Sequence, residues 1–201
     1  MKENKFKKEY EKYEDVPVSL QERLDIMIGK LNIKKKEELE QEITRIQKIP
    51  WKHLSYTFYL VPHPGPRPRM GRNGIFYVKG AREIQDYLHE LIDPVYLLGG
   101  IKLRCKAYIP TPSNMTKIER ILSEMGLIPH ISKPDFDNLV KPYLDAIQDY
   151  LIGNDSSVFD ARIIKYYSIK PRIELSIWYR DNVESKYNEK KILTYLKRKY
   201  K

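Results

Sequence analysis

The sequence predicts an α/β (α+β) fold, a mixed β-sheet packed with helices, behind an N-terminal helical extension. Three observations carry this. The stretch GIKLRCKAYIP (100–110) sets Ile101, Leu103, Cys105, Ala107 and Ile109 on alternate positions, the period of a strand with one buried face. The stretch KPDFDNLVKPYLDAIQDYLIGNDSSV (133–158) carries Leu139, Tyr143, Ala146, Ile147 and Tyr150 at helical spacing. From Trp51 onward the elements run strand, short strand, helix, strand, two helices and two strands, an order that packs helices against one sheet.

Residues 1–16 are charged, dotted with tyrosine and without a period, and read as a frayed arm. SLQERLDIMIGKLN opens a helix with Ser19 and Glu22 at the spacing of a capping box. KKKEELEQEITRIQKI follows as a second helix, with Leu39, Ile43 and Ile46 on one face and Pro50 as its stop. The two form a helical hairpin, a docking or dimerisation element or equally a packing appendage.

The main domain begins near Trp51. SYTFYLVP (55–62) reads as a strand, HPGPRPRMGRNG (63–74) as a loop rich in proline, glycine and arginine, and IFYV (75–78) as a short strand. A helix starts around Ala81 and is interrupted near Pro94. TKIERILSEMG (116–126) is a short helix ended by Gly126. The helix of the acidic stretch runs from about Phe136 to Leu151. Residues 157–170 and 172–180 read as two strands joined at Lys170-Pro171 in an antiparallel hairpin. The predicted division is 1–50 for the arm and hairpin, 51–182 for the main domain and 183–201 for a basic C-terminal helix.

Composition narrows the partners. The net charge is +10 and the charged fraction 32%, above the usual level of about 25%. Residues 1–50 carry 12 Lys/Arg against 11 Asp/Glu, so the remaining 25 basic and 16 acidic residues place the excess in the main domain. A polyanion is the natural partner for such a surface. The single cysteine, Cys105, excludes an intrachain disulfide and the usual structural zinc sites, and reads as a core residue. With no apolar run long enough to span a bilayer and no signal-like N-terminus, the expected location is cytoplasmic and away from membranes.

The acidic stretch holds five aspartates. Asp135 and Asp137 flank the helix start, where Asp137 also suits an N-cap. Asp137, Lys141 and Asp145 lie at i, i+4 and i+8, on roughly one side of the helix. Lys141 is then either a helix ion-pair partner or a cation beside a carboxylate site for Mg²⁺. Asp155 lies beyond the other end, and spacing alone does not close it onto the rest. Asp149 reads as surface charge.

These residues resemble the RusA family of Holliday-junction resolvases of phages and prophages. The family pattern K-P-D-x-D-N-L-x-K-x-x-x-D-A, then D-D-x-x-V and a downstream lysine, is similar to this chain through Lys133, Pro134, Asp135, Asp137, Asn138, Leu139, Lys141, Asp145 and Ala146, then Asp155, Val158 and Lys165. PGPRPRMGRNGIFYV resembles the family's basic loop after the first strand. PTPSNMTKIERILSEMGLIPHISKPD resembles the phage branch, where a His precedes the KPD motif. The likeness spans about residues 55–180.

The resemblance implies a RusA-like fold and a homodimeric, Mg²⁺-dependent (or Mn²⁺-dependent) endodeoxyribonuclease acting on four-way junctions or other branched DNA in recombination and repair. It implies Asp135, Asp137 and Asp155 as metal ligands and Lys141 as the transition-state cation. Asn138, Asp145, Lys133 and Lys165 would be supporting residues, and Arg67, Arg69, Arg72, Lys79 and Arg82 DNA contacts. Asn154 departs from the pattern, standing where the family has the first of two aspartates; the resemblance puts the essential acid on the second, Asp155. The competing readings are a non-catalytic branched-DNA-binding or recruitment protein of the same fold, and a docking protein that acts through its N-terminal hairpin.

Overall fold

The structure, a computed structural model, describes residues 16–65, 69–71, 74–76, 81–93, 97, 99–148 and 150–180. The expectations for the N-terminal arm up to residue 15 and for the C-terminal helix at 183–201 fall outside these residues. The chain divides into two compact units, Met1–Ile49 and Pro50–Lys201. Among the described residues no helix is long and apolar enough to cross a membrane.

The first unit holds α1 (Leu20–Gly29) and α2 (Ile33–Lys48). Ser19 is the N-cap of α1, but its side chain makes no cap bond, so the expected capping box does not form. Arg23 holds the entering chain instead, its Nη1 donating to the carbonyls of Pro17 at 3.0 Å and Val18 at 2.9 Å. Asn32 caps α2 by accepting from the Lys35 N–H at 2.9 Å. Neither helix contains a buried residue.

The second unit is built on a four-stranded sheet of order β1-β6-β4-β5, made by β1 (Lys52–Phe58), β4 (Ile101–Pro110), β5 (Val158–Ser168) and β6 (Arg172–Tyr179). β4 pairs parallel with β5 and antiparallel with β6, so the sheet is mixed, as expected. The last two strands are not a hairpin. β4 lies between them, and the short link from Ser168 to Arg172 crosses the end of β4 at Pro110. Glu124 holds that crossing by accepting from Ser168 Oγ and the Ile169 N–H. Strand periodicity cannot distinguish adjacent strands from strands with a third between them.

Alternate residues of the central strands turn to one face. Ile101, Leu103, Cys105 and Ala107 of β4 and Ile173, Leu175 and Ile177 of β6 are buried there, with Phe58 from β1. The Cys105 thiol is pushed up to about 12 by burial, as befits a core residue. α3 (Ala81–Leu91) and α5 (Phe136–Ile147) supply Leu88, Leu139, Tyr143 and Ile147 to the same core. The two helices are also tied by polar contacts: His89 Nε2 lies 2.7 Å from the Ala146 carbonyl, and Tyr150 Oη donates to the His89 carbonyl at 3.1 Å.

β1 starts earlier than 55–62 and ends at Phe58, because its antiparallel register with β6 runs from Lys52↔Tyr179 to Phe58↔Ile173. The expected loop at 63–74 contains a strand, β2 (Arg69–Gly71), which pairs with β3 (Gly74–Phe76) in a separate small ladder. α4 (Lys117–Glu124) carries a full capping box between Thr116 and Glu119, at a spacing the sequence also holds. It ends at Gly126, whose φ of 74° is the left-handed conformation that glycine adopts freely.

Candidate active site

The helix of the acidic stretch is shorter than its periodicity suggests. α5 has 12 residues and spans about 18 Å. Beyond Ile147 the chain turns so that Leu151 and Ile152 enter the core fully buried. The Leu97 N–H bonds the Leu151 carbonyl at 2.8 Å. Apolar spacing continues through this turn, which is why it reads as helix in the sequence.

Asp135 is the N-cap residue of α5, with extended backbone and no side-chain cap bond, while Asp137 lies in the first turn. The cap role considered for Asp137 therefore falls to Asp135, through its backbone. Asp137, Lys141 and Asp145 are all exposed, in one row on the side away from the buried Leu139, Tyr143, Ala146 and Ile147.

Asp155 opens a single 3-10 turn, Asp155–Ser157, that leads into β5. The chain after α5 leaves Asp155 close enough for its charge to act on Asp145. Burial raises the Asp145 carboxyl above its usual range; the Lys141 charge opposes this, and the Asp155 charge adds to it. The structure thus brings Lys141, Asp145 and Asp155 into one electrostatic neighbourhood. Asp137 sits two turns up the helix from Asp145, about 12 Å along the axis. Among the described residues no three His, Cys, Asp or Glu side chains stand close enough to share one ion. The donor set nonetheless fits a hard cation in kind: it is all carboxylate, and Asp145 and Asp155 carry mutually unfavourable charge that a cation would relieve.

That burden gives a prediction. A carboxyl raised in the folded state binds its proton more readily there than in the unfolded chain, so stability falls as pH rises through its titration range. Asp145→Asn should therefore melt above wild type at neutral pH in metal-free buffer, as read by circular dichroism. A lower melting temperature would contradict the burden.

Asn154 departs from the pattern without losing its turn. Its Oδ1 accepts from the Ser156 N–H at 2.9 Å and its carbonyl accepts from Ser157 Oγ at 2.6 Å. An aspartate would cap the turn the same way, so the exchange alters charge but not local geometry.

Two further contacts build the site. Pro142 lies inside α5 and has no N–H, so the Asn138 carbonyl lacks its helical donor. The Gly65 N–H fills that place, bonding the Asn138 carbonyl at 2.8 Å. A Cβ on Gly65 would meet Asn138 Oδ1 and Pro142 Cδ at 3.4 Å, ordinary contact distance, so the chain at Gly65 lies directly against the helix. The His63 N–H also reaches Tyr143 Oη, at 3.3 Å. The segment leading into the basic loop is thus fastened at Asn138, the residue after Asp137, and at Tyr143. Of the expected DNA contacts, Arg69 falls in β2 and Arg82 in the first turn of α3, while Arg67, Arg72 and Lys79 lie outside the described residues, as does Asp149.

The second contact is Lys165, on β5. Its Nζ donates to the carbonyls of Ser132 at 3.0 Å and Pro134 at 2.9 Å, gripping the loop on both sides of exposed Lys133, whose peptide to Pro134 is cis. Behind that loop, His130 is 5% exposed and packs 4.5 Å from the Tyr167 ring. Ser132 Oγ lies 3.2 Å from Tyr167 Oη and 3.4 Å from His130 Nε2. Burial, and then the nearby Lys165 charge, lower the His130 pKa. Sequence reasoning placed His130 and Lys165 near the motif but did not see that one backs the loop and the other clamps it.

The family model "Endodeoxyribonuclease RusA" matches residues 60–178, the span from the anchored loop to β6. The uncharacterized protein YqaN of Bacillus subtilis (strain 168) is 30% identical over 135 residues, covering 62% of this chain and 94% of that protein. With the family model matched over more than half of the chain, the chain belongs to the RusA endodeoxyribonuclease family.

Proposed function

We propose that the protein is a divalent-metal-dependent nuclease, with Mg²⁺ its working ion and Mn²⁺ a substitute, that nicks four-way junctions or related branched DNA. The observation that supports this best is the exposed row Asp137, Lys141 and Asp145 with Asp155 returned against its end. Asp135, Asp137 and Asp155 would hold the ion, with Asp145 a supporting acid. Bound there, it would supply Lewis-acid polarisation of a phosphate oxygen and ease the ionisation of water.

The chain's own residues do the rest. The carboxylates orient the attacking water and accept its proton. Lys141 stands where negative charge grows on the phosphate oxygens as the new O–P bond forms and the P–O3′ bond breaks. The products carry 5′-phosphate and 3′-hydroxyl ends. Lys165 and Asn138 position the two segments flanking Asp135 and Asp137, and the basic loop anchored at Gly65 contacts phosphates. A homodimer would present two such sites to a junction of matching pseudo-symmetry. The helical hairpin offers exposed Leu20, Met27 and Ile33 to a protein partner. Work on DNA with a cysteine kept reduced fits the cytoplasm.

The test is incubation of the purified chain with a synthetic four-way junction in Mg²⁺, in Mn²⁺ and in EDTA, beside linear duplex of the same sequence. Paired nicks near the crossover, absent in EDTA and on linear duplex, are expected, at the same rate for a chain lacking residues 1–50. Tight junction binding without cleavage of junction, fork or flap would sink the nuclease reading in favour of a non-catalytic binder.

A further inference from the structure

The sheet has a second face, opposite α3 and α5. At the end where β4 and β5 begin, this face carries Lys102, Arg104, Arg162 and Trp178, with Trp51 and Arg180 beside them. All but Arg180 line a cleft of about 390 Å³, together with Leu103 and Asp160. That size lies within the range for sites that take a small ligand or one unit of a polymer, about 300–1,000 Å³.

The cations and rings are interleaved. Lys102 Nζ lies 4.6 Å from the Trp51 ring centre and the Arg180 guanidinium 4.1 Å from it. Arg104 lies 5.5 Å from the Trp178 ring, which also stacks on His53 at 4.7 Å. Lys102 is loosely paired with Asp160, at 3.9 Å. Arg162 is exposed and makes no ion pair among the described residues. Arg104 Nε is buried without a hydrogen-bond partner, a donor left unmet.

One ring stands out from the surface. β5 skips a residue in its register with β4, pairing Ile101 with Val158 and Lys102 with Asp160. Phe159 is the extra residue, and it is 62% exposed. A bulge of this kind re-aims a side chain that the pleat would otherwise turn inward. The Phe159 ring rests over Gly100, where a Cβ would come within 3.2 Å of it, and lies 6.3 Å from the Trp51 ring. It follows Asp155 by four residues on the edge strand of the sheet.

We propose that this face is a platform for an unpaired DNA strand, separate from the acidic site, with Phe159 stacking on a base and Arg104 and Arg162 meeting phosphates. Charge decides the occupant. A second copy of this chain docked by two-fold symmetry would set the patch against itself, cation facing cation. A nucleic-acid strand brings the opposite charge and flat bases that fit exposed rings. Duplex offers only its phosphates here, since its bases are already stacked. A strand passing round the β5 edge would touch Asp155 on one side and Phe159 on the other. The assignment of DNA as the polyanion rests on the nuclease reading; the platform's existence does not.

Both tryptophans of the chain, Trp51 and Trp178, lie on this face, so tryptophan emission, excited selectively over that of the 16 tyrosines, reports on it alone. Full-length protein is titrated with oligothymidine in EDTA, where cleavage plays no part. Oligothymidine should quench the emission, and duplex of equal length should quench it less. Phe159→Ala should weaken binding by about 5- to 150-fold, the usual worth of one stacked base. Arg104→Gln with Arg162→Gln should flatten the salt dependence by about 1.4 in log–log slope, at about 0.7 for each phosphate no longer neutralised. Phe159 is exposed, so its truncation leaves the fold intact, and a thermal melt checks this. Absence of quenching, equal response to duplex, or a Phe159→Ala variant that binds normally would each overturn the platform. A loss of self-association on Arg162→Glu in light scattering would also overturn it and assign the face to a second copy. Quenching without junction cleavage would keep the platform and sink the nuclease reading.

Discussion

Asp137→Asn and Asp155→Asn will each lower junction cleavage by about 10²–10³-fold or more, with melting temperatures close to wild type. Both side chains are exposed, so neither substitution opens a cavity or strands a buried charge. The loss would therefore be one of chemistry. Asp155 is the sharper test of the two. It follows α5 in the chain where Asp137 opens it, and its charge is felt by Asp145. If the acids work as one ion site, removing either end disables it equally. An Asp155→Asn enzyme that cleaves at the wild-type rate would show that the two ends of the helix act apart. Lys141→Met completes the set. It should lose a similar factor in rate with little change in the ion concentration needed, if its proposed role is charge neutralisation during bond breaking rather than holding the ion. Single-turnover rates across a Mg²⁺ titration separate the two kinds of loss.

The motif residues were legible because their types and spacing alone were enough to place them. Asp137, Lys141 and Asp145 could be placed on one exposed side of a helix from period alone, and they are there. The sheet class was legible from the alternation in residues 101–109 for the same reason. What could not be read depends on partners distant in sequence. The order β1-β6-β4-β5 requires knowing that β4 fills the place between β5 and β6. The end of α5 at Ile147 depends on Leu97 receiving Leu151. The Ser19 capping box had the right letters, but Arg23 supplied competing bonds to the entering chain. Pro142 is the most instructive case. In sequence it looks like a flaw in a helix; in the fold it frees the Asn138 carbonyl, and Gly65 takes it, so the flaw becomes the fastening point of the basic loop.

Lys165→Met will lower cleavage by about 10–100-fold, the usual cost of losing a residue that orients a site from behind, and will raise the Mg²⁺ concentration that gives half-maximal rate. Lys165 Nζ makes two charge-assisted bonds, to the Ser132 and Pro134 carbonyls, each worth about 1.5–3 kcal/mol in a favourable setting. Both carbonyls belong to the loop whose next residue is Asp135. Methionine keeps the stem's packing and removes the charge, so the strand should survive while the loop loses its grip. Ser132 still meets Tyr167 and His130, which is why the expected loss is partial rather than complete. Lys165→Arg should recover part of the rate, since a guanidinium can reach two carbonyls, though with a different fork geometry. A purely structural lysine would give another pattern: a lower melting temperature with an unchanged Mg²⁺ midpoint. If Lys165→Met shows that pattern, the clamp serves only the fold, and the placement of Asp135 must come from its position at the start of α5.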